Sequence, residues 1–279
     1  MLRQALSAVG RSLLDLWENI LVLATANIVW ALSLLPGVFV GSLIKGGLLI
    51  FVLAFLIMTL LAGPTTIGMF YMTADTSRRE RIELSDFWTG IKRYYRRGWL
   101  LAGINSLFIL LVVFNLVFYS QPGFSDSPIR LMYIVWVYVI LTWFMLQLYL
   151  WPLAIRMEPE GRLPLRLLLR NALLAMFKYI GFSLIVGLIT LLILIGSVVA
   201  VLIPMVLFGM ALYGLISNRA AKMVLVRENE RAAAENVQAT PLTPIIDTPL
   251  EITRPVNEKA VALEVETRNP PPGITRRGL

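Results

Sequence analysis

Cysteine and histidine are both missing from this chain of 279 residues. Without cysteine there is no disulfide framework and no thiol chemistry. Without histidine the commonest metal ligand and the commonest general base are gone. Charge is missing too, over long stretches: residues 19–44, 46–74 and 179–218 carry none. Ion-driven pumps and voltage sensors ordinarily hold Asp, Glu, Lys or Arg inside the membrane. Their lack here leaves only backbone carbonyls at broken helices as sodium ligands. No Gly-x-x-x-x-Gly-Lys-Ser/Thr loop and no Gly-x-Ser-x-Gly elbow occurs, so neither a P-loop ATPase nor an esterase-type nucleophile is supported. Metal hydrolysis lacks clustered carboxylates within any apolar run. An enzyme would have to draw its acid or base from Asp75, Glu80, Glu83 or Asp86, which lie among arginines and are better read as surface ion pairs. The chain is therefore expected to be no enzyme, with no catalytic, cofactor-binding or metal residues and no cofactor.

What is abundant is apolar surface. The apolar fraction is 58% and the mean hydropathy is +0.76, well above a soluble domain. A membrane crossing needs about 20 apolar residues, and each charge-free run meets that. The chain reads as an all-α integral membrane protein. Its net charge of +8 sits at the ends of the apolar runs, which points to anionic lipid headgroups as partner and away from nucleic acid.

In chain order, residues 2–18 place Leu2, Leu6, Val9, Leu13, Leu16 and Trp17 at helical spacing, with Arg3, Arg11 and Asp15 between them. That is an amphipathic interfacial helix; the run after Glu18 is too long for a secretory signal peptide. Six spans follow, at about 19–43, 47–73, 99–119, 131–155, 180–197 and 201–218, within a transmembrane domain of 19–227. The last two divide a charge-free run of 40 residues, which as one helix would be about 60 Å, twice the hydrocarbon core. A turn within Gly196–Pro204 resolves this; one span with a re-entrant segment is the alternative.

Two basic segments separate the spans. Residues 75–98 carry Arg78, Arg79, Arg81, Lys92, Arg93, Arg96 and Arg97. Phe87, Ile91 and Tyr95 share an apolar face there, and Trp88, Tyr94 and Trp99 sit at headgroup level. Residues 156–178 place Arg162, Arg166 and Arg170 four apart, in a helix starting near Pro164. All ten cations are expected to contact headgroups. The chain thus suggests three two-span hairpins, each preceded by a basic amphipathic helix, over 2–73, 85–155 and 164–217. The positive-inside rule puts both basic segments and both termini in the cytoplasm of a plasma-membrane protein. It prefers six spans to five, because Arg219, Lys222 and Arg227 then also face inward. Helix continues to about residue 235, and the proline-punctuated 228–279 is a mostly disordered cytoplasmic tail.

Neutral polar groups remain inside the spans: Asn27, Thr65, Thr66, Asn105, Asn115, Thr142, Gln147 and Thr190. Hydrogen bonding between helices accounts for most such groups, and Gly37 with Gly41 offers a close helix approach. Asn27, Thr65 and Thr66 are also available to satisfy carbonyls freed at Pro36-Gly37 and Gly63-Pro64. Asn27, Trp30, Pro64, Thr65 and Thr66 together are the candidate site, either for packing or for a neutral hydroxyl-rich ligand such as a sugar, with an indole against its apolar face.

Several of these motifs occur together in one known family. Asn27-Ile28-Val29-Trp30 opens the first span, and Gly63-Pro64-Thr65-Thr66-Ile67-Gly68-Met69-Phe70-Tyr71 closes the second. Phe87-Trp88, Lys92-Arg93-Tyr94-Tyr95, Ile203-Pro204 and Asn218-Arg219 follow in order. Over roughly residues 10–225 the chain resembles the YesL-like bacterial membrane proteins, the family of the domain of unknown function 624; the long tail departs from it. The resemblance implies a multi-span plasma-membrane protein associated with carbohydrate uptake or utilisation, often beside a transport system, and supplies no catalytic residues. The expected function is an accessory component with a transport-system membrane partner. A free-standing transporter or channel for a neutral solute is the alternative.

Overall fold

The computed structural model describes residues 2–43, 48–74, 82–121, 131–157, 164–199 and 204–235, and no strand occurs among them. The helices are α1 (Leu2–Glu18), α2 (Ile20–Leu43), α3 (Leu48–Thr73), α4 (Leu84–Tyr119), α5 (Met132–Arg156), α6 (Leu165–Lys178), α7 (Ile180–Val199) and α8 (Met210–Glu235). A π-helical turn, Met205–Gly209, leads into α8. Five of them, α2, α3, α4, α5 and α7, are long and apolar enough to cross a membrane. Their outer faces are apolar: Leu21 and Leu49 are 80% and 81% exposed, which suits hydrocarbon and not water. The chain is an α-helical membrane protein. Arg78, Arg79, Arg81, Arg162, most of the span connections and the tail beyond 235 lie outside the described residues.

The most extensive helix pair is α3 with α4, and glycine permits it. A Cβ on Gly63 would lie 2.9 Å from the Gly98 carbonyl oxygen, and one on Gly98 would lie 2.7 Å from that of Gly63. Neither backbone tolerates a side chain at this crossing. Gly37 plays a similar part between α2 and α3, where an added Cβ would come within 2.6 Å of the Ala54 carbonyl.

This crossing corrects two expectations. The first basic segment does not hold a separate interfacial helix: residues 84–98 are the first part of α4, a continuous helix of 36 residues, about 54 Å long. Nothing between Arg97 and Leu100 stops the helix except Gly98, and Gly98 is held by its contact with Gly63. A separate basic helix therefore precedes the apolar helices at α1 and α6, which end at Glu18 and Lys178, but not at α4. The buried stripe also differs. It runs Phe87, Gly90, Tyr94, Gly98, Leu101. Tyr94 is buried, with its ring 5.7 Å from that of Tyr71, while Tyr95 is exposed.

Breaks in the helices are repaired from neighbouring helices. Pro64 lies inside α3 and has no N–H to offer the Leu60 carbonyl. The Trp99 indole donates to that carbonyl from α4, at 2.7 Å. At the π-helical turn, the Asn27 amide donates to the Val206 carbonyl at 2.7 Å, and its oxygen accepts the Ala211 N–H at 2.8 Å. Asn27 thus repairs a break in the last helix of the fold. The breaks expected to need it, near Pro36 and Pro64, are on α2 and α3.

At one end of the bundle, polar contacts tie remote segments together. Arg219 pairs with Asp15 of α1, and Arg227 donates to Gln4. Arg156 donates to the Ala74 carbonyl, and Asn218 donates to the Phe70 carbonyl at 2.9 Å. Glu228 pairs with Lys178 and accepts from Tyr179 at the α6–α7 junction. Burial, with the adjoining carboxylate adding to it, pushes the Tyr179 hydroxyl up to about 12. Burial alone raises the Glu228 carboxyl, but hydrogen bonds from Lys178 and Tyr179 outweigh it and hold the group below its ordinary value.

Two predictions follow from these contacts. Asn27→Leu orphans the buried Ala211 N–H, at about 1–3 kcal/mol, and the part-buried Val206 carbonyl. It should lower the thermal midpoint of the detergent-solubilised protein far more than Asn115→Leu, since Asn115 bonds back to Leu111 of its own helix. Equal midpoints would remove Asn27 from the fold's support. The second concerns pH. A carboxyl with a depressed folded value stabilises above its unfolded value and loses that contribution as pH falls through the folded value. A tyrosine with a raised folded value stabilises below its unfolded value and loses it as pH climbs to about 12. Docking of α8 on the α6–α7 junction should therefore be strongest between about pH 5 and 10. Glu228→Gln should flatten the acid side of a midpoint-against-pH curve, by less than about 1 kcal/mol because Lys178 is half exposed.

Candidate functional site: a charge-free cavity between the helices

The crossing of α3 with α4 is narrow because its residues are small, and the same economy of side chains leaves space beside it. Thr59 and Ala62 of α3, with Ala102 and Ser106 of α4, form one wall of a cavity of about 550 Å³. Larger side chains close the other walls: Trp30 from α2, Trp143, Gln147 and Trp151 from α5, and Tyr213 from α8. On α5 the spacing Trp143, Gln147, Trp151 is four residues throughout, so all three share one helix face.

The polar groups on these walls are mutually bonded. Trp30 Nε1 donates to Thr66 Oγ1 at 2.9 Å. Asn105 Oδ1 accepts from Trp143 Nε1 at 2.8 Å and from Gln147 Nε2 at 3.2 Å. Gln147 Oε1 accepts from Trp151 Nε1 at 2.8 Å. Thr59 and Ser106 join their hydroxyls across α3 and α4. Stacking fixes the indoles further: Trp143 lies 4.1 Å from the Phe108 ring, and Trp151 lies 5.6 Å from Phe70. The Asn105 oxygen already accepts twice, so its NH₂ group is the donor it keeps for a guest.

Among the described residues no charged side chain lines this cavity. Its walls offer aromatic faces, hydroxyls and carboxamides, which suit a neutral ligand whose apolar face lies on an indole.

The five expected site residues are divided by the structure. Trp30 and Thr66 are on the cavity wall. Asn27 is fully buried at the π-helical turn. Thr65 bonds Ser33 at 3.0 Å and carbonyls of its own helix. Pro64 is half-buried on the stretch that Trp99 repairs. The expected site omits Asn105, Gln147 and the two indoles of α5, whose spacing of four was the available signal. Of the expected headgroup contacts, Lys92, Arg93, Arg96, Arg166 and Arg170 are exposed and Arg97 is half-buried.

Thr66→Val removes one acceptor and should cost about 1 kcal/mol, whereas Asn105→Leu leaves two indole or amide donors without theirs and should cost at least twice that. Thermal midpoints in detergent separate the two. An Asn105→Leu protein as stable as its parent would show that the carboxamides do not hold α4 to α5.

No family model, curated protein or solved structure matches the chain.

Proposed function

We propose that the chain is a six-span plasma-membrane protein that binds a neutral, hydroxyl-bearing ligand in this cavity and serves as an accessory component of carbohydrate uptake or utilisation. The observation that carries the ligand class is the wall itself: indoles and carboxamides with no charge. The motif resemblance to the YesL-like proteins supports the carbohydrate setting. Charge-free spans and the lack of a nucleotide-binding segment favour an accessory role beside a transport-system membrane partner, because nothing in the chain supplies a driving force.

The Asp15–Arg219 pair supports six spans over five. Asp15 precedes the first apolar helix and Arg219 follows the last charge-free run, and their contact favours an even number of crossings between them. Five crossings between them would separate them; six reunite them. The basic content of that side favours the cytoplasm for both ends and anionic headgroups as its lipid partner. A free-standing carrier for a neutral solute is the second reading, favoured by the cavity's size.

Mild-detergent purification from the native membrane tests the choice. A sugar-transport permease or binding protein should come with the chain in stoichiometric amount, and neutral sugars should quench the tryptophan emission of the complex. Recovery of the chain alone, with sugar flux after reconstitution, would replace the accessory reading with the carrier.

A further inference from the structure

The charge-free cavity has a polar end and an apolar end. An indole has one N–H to give, and all three on the wall are spent there: Trp30 on Thr66, Trp143 on Asn105 and Trp151 on Gln147. Thr59 and Ser106 bond each other. The NH₂ group of Asn105 remains as a donor, with Gln147 bonded beside it, so the two carboxamides form one polar spot. Farther along, the wall is Leu34, Phe55, Met58, Ile109, Val112 and Ile140. Val112 lies seven residues after Asn105 on α4, and Ile140 lies seven before Gln147 on α5, about 10 Å along either helix. The two helices run antiparallel, so both displacements point the same way.

The apolar end has a window in its side. Helices α4 and α5 are tied at two levels, by the Gln147–Asn105 bond and by the Tyr133 hydroxyl donating to the Leu116 carbonyl at 3.2 Å. Between these ties they stand apart. Ile109 shares a face with Asn105, and Ile140 with Gln147. Both line the cavity, yet they are 37% and 39% exposed. Leu107 and Leu111 on α4 and Val137 and Leu141 on α5 are exposed around them, on helices long and apolar enough to cross a membrane. The window therefore opens onto hydrocarbon.

A free sugar entering by that route leaves water with every hydroxyl stripped of its partner, and one polar spot restores few of them. A lipid with an uncharged, hydroxyl-bearing head is already in that phase. Its head suits the carboxamides and its chain suits the apolar end. Among the described residues no charged side chain lines the cavity, so nothing there pairs with a phosphate or carboxylate head. On the reading that this cavity takes a neutral hydroxyl-bearing ligand, on which the inference rests, we infer that the ligand is such a lipid. It enters between α4 and α5, with its head at Asn105 and its chain toward Val112.

The test uses the full chain in phosphatidylcholine nanodiscs doped with monooleoylglycerol, and native mass spectrometry counts the lipid retained per chain. One monooleoylglycerol per chain is expected. Oleoyl lysophosphatidic acid has the same chain on a charged head and should not be retained; equal retention of the two overturns the assignment of the head. Ile109→Trp with Ile140→Trp fills the window and should weaken retention about tenfold. Leu107→Trp with Val137→Trp, at exposed positions off the wall, should leave it unchanged, and equal effects of the two pairs overturn the window. Should the first pair fold poorly, quenching decides on the unaltered chain. Monooleoylglycerol brominated on its chain should quench tryptophan emission more than phosphatidylcholine brominated likewise at the same mole fraction, because Trp143 is on the wall; equal quenching overturns the proposal. Binding of free glucose without retention of monooleoylglycerol overturns the lipid and leaves the neutral-ligand cavity standing. Failure of both to bind overturns the cavity reading as well.

Discussion

A backbone carbonyl or amide without a partner in hydrocarbon costs several kcal/mol, and the arrangement of this fold follows from where that cost is met. Proline and the π-helical turn interrupt the apolar helices, and the missing partners come from other helices. Trp99 of α4 serves the Leu60 carbonyl of α3, and Asn27 of α2 serves both sides of the break before α8. At the end of α3, Asn218 takes the Phe70 carbonyl and Arg156 takes that of Ala74. Each bond repairs one helix and fixes the place of a second. Helix α3 receives three of them, so α4, α5 and α8 are all positioned against it.

The charge-free cavity is a by-product of the same packing. Where Gly63 meets Gly98 the two backbones touch, and small residues continue on both helices past that point. The aromatic face of α5 stands across from them and cannot collapse into the gap, because Trp143 and Trp151 are bonded to carboxamides and stacked on phenylalanines. The cavity stays open through rigid groups on one wall and small ones on the other.

Runs of uncharged residues mark membrane helices through composition alone, which is why α2, α3, α5 and α7 were legible from the sequence. The rest depends on contacts between distant residues. Choosing between Tyr94 and Tyr95 as the buried ring needs the position of Tyr71, which lies on another helix. A helix boundary before Trp99 looked natural because charge ends there, but charge does not stop a helix, and Gly98 is kept helical by Gly63. Asn27 was recognisable as a group able to repair a break, yet nothing local names Val206 and Ala211 as its partners. In the candidate site, Trp30 and Thr66 lie on the wall, while the Asn105–Gln147 bond joins residues 42 positions apart and had only the spacing on α5 to announce it.

The Asn27 bridge spans 184 positions between Asn27 and Ala211, and this has a consequence for the order of assembly. A chain is made from its N-terminus, so α2 is in the bilayer long before the π-helical turn exists. The final helix is then completed by a side chain that has been waiting since the first insertion. The Asp15–Arg219 pair closes beside it, between the same early and late segments. Both closures join the early helices to the late one, so the contacts of α8 with α1 and α2 form only once residues up to Arg219 are made.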